Sequence, residues 1–112
     1  MELIISDIDI FSSLYKIELN QEPNQSFDVF LGEDDFIIDI RTYVQDQTRI
    51  NVTLNNEIII NNSPVNISNI NLNYFSNFKK GIFFFLQNPN KIIKNPNFKN
   101  FGDGLDLYYG II

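Results

Sequence analysis

Cysteine and histidine are both missing from this chain of 112 residues. Without cysteine there is no disulfide framework and no thiolate zinc site. Without histidine the commonest general base and the commonest metal ligand are gone, and no conventional nucleophilic triad can be built. Glycine is scarce: the 5 glycines never fall in a phosphate-cradling spacing. Cations are also few, 8 against 14 acids, for a net charge of −6. Phosphate backbones repel such a surface, so specific nucleic-acid binding is not expected. No apolar run approaches the ~18 residues that span a bilayer. The start, "MELIISDIDIF", is acidic where a signal peptide would be basic. The expectation is a soluble product made in the cytoplasm, with no membrane contact and no cofactor.

Apolar and aromatic residues are plentiful, at 44% and 14%. That is enough to bury a core, and the length suits one domain. The high asparagine, isoleucine, lysine and phenylalanine content has the look of an AT-rich coding source. Asn51-Val52-Thr53 and Asn66-Ile67-Ser68 match the glycosylation pattern, but in a chain read as cytoplasmic they are accidents of composition.

Period-two alternation dominates the chain. "SFDVFL" sets Phe27, Val29 and Leu31 on one face, Gly32 to Asp35 read as a turn, and "FIIDIRTY" returns with Phe36, Ile38 and Ile40 aligned. "RINVTL", Asn55-Asn56 and "EIII" form a second hairpin, since asparagine accepts the positive φ that a type I′ turn demands at both centres. Pro64 interrupts the pattern, so Asn61 to Ser63 are expected to be a loop. "VNISNINLNYF" alternates and then slips register before Ile70, as a bulge would require. Asn73 to Lys80 could make one helical turn, with Lys79 and Lys80 as charged guards before the next strand. "GIFFFLQ" is apolar at consecutive positions, the mark of a strand covered on both faces. A long loop is expected from Gln87 to Gly104, then a last strand at "LDLYY". No helical period of useful length occurs. The pattern predicts an all-β fold: a small antiparallel β-sandwich or partly open β-barrel built from hairpins. Residues 1–14 read as an N-terminal extension and 15–112 as the single β domain.

Few residues suggest chemistry. Glu33-Asp34-Asp35 lacks the alternate-oxygen spacing of a calcium loop and reads as a solvated tip. Asp103 and Asp106 flank a glycine turn more naturally than a glycosidase cleft. Ser76 near Lys79 or Lys80 reads as polar loop. None of these makes a catalytic assignment, and no enzyme is expected. Phe83, Phe84 and Phe85 are adjacent in one strand and must point to both faces, so they serve either a core or a subunit interface. Tyr108 and Tyr109 raise the same choice. An alternative is a free-standing sandwich that binds carbohydrate or peptide on Tyr74, Tyr108 or Tyr109.

Before the first hairpin stands "EPNQSF". Pro23 fixes φ, Asn24 and Ser26 can bond nearby backbone, and Gln25 adds an amide: a shaped lead into a strand. This segment also carries a resemblance. The order Ile17-Glu18-Leu19, Pro23-Asn24-Gln25-Ser26-Phe27, Leu31-Gly32, Phe36 to Ile40, and Phe101-Gly102 through Leu107-Tyr108-Tyr109 resembles the baseplate plug family known from a cyanophage contractile tail. The likeness runs from about Tyr15 to Tyr109. It departs where members often carry a tryptophan in the third strand, since Ile50 or Val52 would stand there. The resemblance implies a structural virion protein of the tail baseplate, at the tube–hub junction. Its implied partners are the hub, the tail tube and the tape-measure protein, and copies would form a homo-oligomeric ring. Pro23, Asn24, Gln25, Phe27, Phe83, Phe84, Phe85, Tyr108 and Tyr109 are the candidate structural or interface residues. The 1–14 extension and the loop from Gln87 to Gly104 are candidates for reaching neighbours, and an acidic surface at the tail axis would repel passing DNA.

Overall fold

A computed structural model describes residues 11–44, 47–65, 81–88 and 90–111. The expected register slip, helical turn and lysine guards between Asn66 and Lys80 lie outside the described residues, as do Tyr74 and Ser76. The strands are β1 (Ser13–Ile17), β2 (Gln25–Leu31), β3 (Asp34–Tyr43), β4 (Gln47–Leu54), β5 (Glu57–Pro64), β6 (Gly81–Gln87) and β7 (Leu105–Ile111). They form two open antiparallel sheets, one ordered β1-β7-β6 and the other β2-β3-β4-β5. The fold is therefore a small all-β sandwich and not a closed barrel.

The larger sheet is a run of consecutive hairpins, and its two tight turns follow from their sequences. Gly32 has φ 64 and Glu33 does not, which is the type II′ arrangement with glycine at the first centre. The turn is thus shorter than Gly32 to Asp35: Asp34 and Asp35 already pair with Leu31 and Phe30. Asn55 and Asn56, at φ 50 and 69, make the expected type I′ turn.

Alternation then builds the core. Phe36, Ile38 and Ile40 of β3 and Ile50, Val52 and Leu54 of β4 are buried, while their neighbours face outward. From the smaller sheet come Phe83, Phe85, Leu105, Leu107 and Tyr109, with Phe101 beside them. Phe36 meets Phe83 edge-on with centroids 5.2 Å apart and meets Tyr109 at 5.0 Å, which ties the two sheets together. Each fully buried phenylalanine contributes about 2–3 kcal/mol.

Asn61 to Ser63 are not a loop. β5 continues to Pro64, which pairs with Arg49. The register shifts twice, between Ile50 and Val52 and again between Val52 and Thr53, and Asn62, which lies at the first shift, takes φ 54. Side chains of β4 satisfy the displaced backbone: Asn51 Oδ1 accepts from Asn62 N–H at 2.7 Å, and the Arg49 guanidinium donates to the Asn62 carbonyl at 2.9 Å. Proline is tolerated because, among the described residues, β5 is an edge strand.

β1 runs from Ser13 to Ile17 and pairs with β7, so Glu18 and Leu19 of the Ile17-Glu18-Leu19 stretch lie beyond the strand. Gln87 still belongs to β6, where it pairs with Leu105, and the loop that follows it, up to Gly104, folds back on the sandwich. Asn88 N–H donates to the Gly104 carbonyl at 2.7 Å. A 3-10 turn at Phe98–Asn100 is capped reciprocally by Asn97 and Asn100. Phe101 stacks on Phe85 at 6.0 Å.

Candidate functional site

All three residues of the Pro23-Asn24-Gln25 signature make internal hydrogen bonds. Gln25 reaches back to Asn20, accepting from its N–H at 3.1 Å and donating to its carbonyl at 2.7 Å, and so closes the turn before β2. Asn24 Oδ1 accepts from Thr42 N–H at 3.2 Å. The Pro23 carbonyl accepts from the Thr42 hydroxyl at 2.8 Å. That hydroxyl lies 3.1 Å from the Thr48 hydroxyl, which in turn accepts from Phe98 N–H at 3.1 Å. The single Thr42 proton points to Pro23, so Thr48 must donate to Thr42. One directed chain therefore runs from Phe98 through Thr48 and Thr42 to Pro23. It joins the loop after β6 to the segment before β2 across two strands. Phe27, the fourth candidate here, faces inward from β2 and is half-buried against the main core.

The aromatic candidates divide between the faces of the smaller sheet. Phe83, Phe85 and Tyr109 point inward and are buried. Phe84 points outward and is nonetheless buried, in a second cluster with Ile82, Phe11, Leu14, Leu86 and Tyr108. Phe11 stacks on Phe84 at 5.5 Å and Tyr108 on the same ring at 5.6 Å. All three phenylalanines are therefore covered within the chain. Adjacent residues in a strand face opposite ways, so Tyr108 and Tyr109 do not share a stacking platform. Burial pushes the Tyr109 hydroxyl up to about 12, with the Asp34 carboxylate and Tyr15 adding to the shift. The buried phenol is held neutral.

Asp103 and Asp106 are each taken up by a different lysine. Asp103 pairs with Lys91 at 2.7 Å and Asp106 with Lys16 at 3.8 Å. Among the described residues no group of three or more acidic side chains is placed to hold a metal. An open groove of about 560 Å³ runs beside Gln47, Thr48, Arg49, Val65, Asn95 and Asn97, and none of the described aromatic candidates lines it. No helix among the described residues is long and apolar enough to cross a membrane.

Sequence reasoning missed Thr42, Thr48 and Phe11. The threonines occupy inward positions of alternating strands, where only their polarity among isoleucines marks them. Phe11 stands in the stretch read as an extension.

These features define a class: a small two-sheet β-sandwich whose distinctive described residues stitch the fold together. The family model described as "Cyanophage baseplate Pam3 plug gp18" matches residues 14–111. The chain belongs to this baseplate plug family, which makes it a structural component of a phage tail baseplate. No curated protein matches the chain.

Proposed function

We propose that this protein plugs the axis of a contractile tail at the junction of tube and hub. There it contacts the hub, the tail tube and the tape-measure protein, as one member of a homo-oligomeric ring. It is made in the host cytoplasm, joins the baseplate during assembly, and acts without catalysis by helping to hold the tail closed until it fires. The observation that carries this reading is the family match over residues 14–111. The packing fits it: the sandwich is tied at one end by the chain from Phe98 to Pro23 and covered on the outer side of β6, as a part that must hold its shape under load would be.

Affinity purification of the tagged protein from its native lysate tests the proposal, with mass spectrometry of purified tails alongside. Recovery with hub, tube and tape-measure proteins in fixed ratio is the expected result. A soluble monomer missing from purified tails would refute it.

A further inference from the structure

The edges of the two sheets are not equally guarded. β5 carries a bulge, a left-handed Asn62 and a terminal proline, all of which spoil a template for further pairing. β1 is short, and β6 is buried along most of its length. β2 has none of these protections. It spans 7 residues, Gln25–Leu31, contains no lysine, proline or bulge, and among the described residues pairs only with β3.

The free groups of this edge can be assigned. In the type II′ turn Leu31 and Asp34 are the bonded pair, so Val29 and Phe27 also face β3. Ser26, Asp28 and Phe30 therefore aim their N–H and C=O groups away from the sheet, and all are exposed. On the inner face Phe27 and Val29 are only half-buried although they belong to the core row. On the outer face Phe30 is 69% exposed, with Asp35 across from it and Asp28 across from the exposed Ile37. Neither Asp28 nor Asp35 has a cation within ion-pair distance among the described residues, whereas Asp39 is held by Arg41 at 3.1 Å.

We infer that the β2 edge receives an extended segment of a different polypeptide, which adds a strand to the larger sheet. Backbone bonding goes to Ser26, Asp28 and Phe30. Apolar residues of the segment complete the cover of Phe27 and Val29, and its outward residues are basic or apolar, to meet Asp28, Asp35 and Phe30. A second copy is the poorer occupant. Antiparallel self-pairing centred on Asp28 sets two carboxylates face to face, and the chain carries a net charge of −6. The inference rests on membership of the baseplate for its setting and adds the surface and the chemistry of the contact.

Hydrogen exchange on the free protein and on purified tails tests it. The amides of Ser26, Asp28 and Phe30 are expected to slow at least about tenfold in the tail, as amides entering a ladder do. Absence of the protein from tails would defeat the proposed function instead. Presence with unchanged exchange at these three amides would overturn the inference. Zero-length carboxylate–amine cross-linking of the same tails should join Asp28 or Asp35 to a lysine of another protein, and links to a second copy alone would overturn the choice of partner. Asp28→Pro blocks the outward edge without removing a β2–β3 bond. With a melting temperature near that of wild type it should be lost from tails, and retention at the wild-type level would also count against the inference.

Discussion

The hydroxyls of Thr42 and Thr48 lie 3.1 Å apart, side by side on paired strands, at the polar end of two otherwise apolar rows. One row reads Phe36, Ile38, Ile40, Thr42 and the other Thr48, Ile50, Val52, Leu54. The core ends where these hydroxyls begin, and through them the exposed Pro23 carbonyl and the part-buried Phe98 amide both find partners. Thr48 is itself 3% exposed.

Thr48→Val keeps the shape and removes the hydroxyl, leaving the Phe98 amide without its acceptor. The expected loss is about 1–3 kcal/mol, the usual cost of an unmade bond at a buried site. Thr48→Ser should lose clearly less. Urea unfolding of the two variants measures the difference, and equal losses would show that the hydroxyl chain contributes nothing beyond packing.

Gly110→Ala should dislodge Phe11. A Cβ at Gly110 would clash with the Phe11 ring, which lies against this position and stacks on Phe84. The variant is expected to lose about 1–3 kcal/mol by overpacking. Combined with Phe11→Ala the two losses should not add, because the same contact is removed twice. Additive losses in a double-mutant cycle would place Phe11 elsewhere.

The two hairpin turns should respond oppositely to substitution. Gly32→Ala forces a Cβ into φ 64 and should cost about 1–2 kcal/mol. Asn56→Gly creates the preferred Asn-Gly pair at a position with φ 69 and should be neutral or slightly stabilising. Thermal melts of both variants check this.

Stability should fall at high pH in a way that Tyr109 controls. Its hydroxyl is pushed up to about 12 in the fold from an ordinary value of 10. An acid raised on folding favours the protonated native state. Its contribution is full below pH 10 and is lost as pH climbs from 10 through about 12. Two units correspond to at most about 3 kcal/mol. Wild type and Tyr109→Phe, melted across this window, should differ in slope. Parallel curves would mean that the phenol is not held neutral by burial.

Local rules reach far into this fold and stop at identifiable places. Asn55-Asn56 specifies its own turn, and the consecutive phenylalanines of β6 announce that both faces are covered. Alternation in β3 and β4 names the buried row residue by residue. β5 defeats the same reasoning because its proline is harmless at an edge and its bulge is satisfied by Asn51 and Arg49 of the neighbouring strand. The Thr42–Thr48 link was equally illegible, since threonine is ordinary in strands and nothing local reveals that two of them end facing rows. "PNQ" was legible as a turn but not as an anchor, because its partner Thr42 stands 18 residues from Asn24.

The pairing of β1 with β7, Ser13 against Ile111, also bears on how the protein comes into being. The larger sheet is a series of neighbours in sequence and can zip together hairpin by hairpin while the chain is still being made. The smaller sheet has to wait. Among the described residues β1 pairs only with β7, and β7 is also what joins it to β6. β7, which follows the other described strands in the chain, is thus the keystone, and until it is made the apolar face of the larger sheet lacks Leu105, Leu107 and Tyr109.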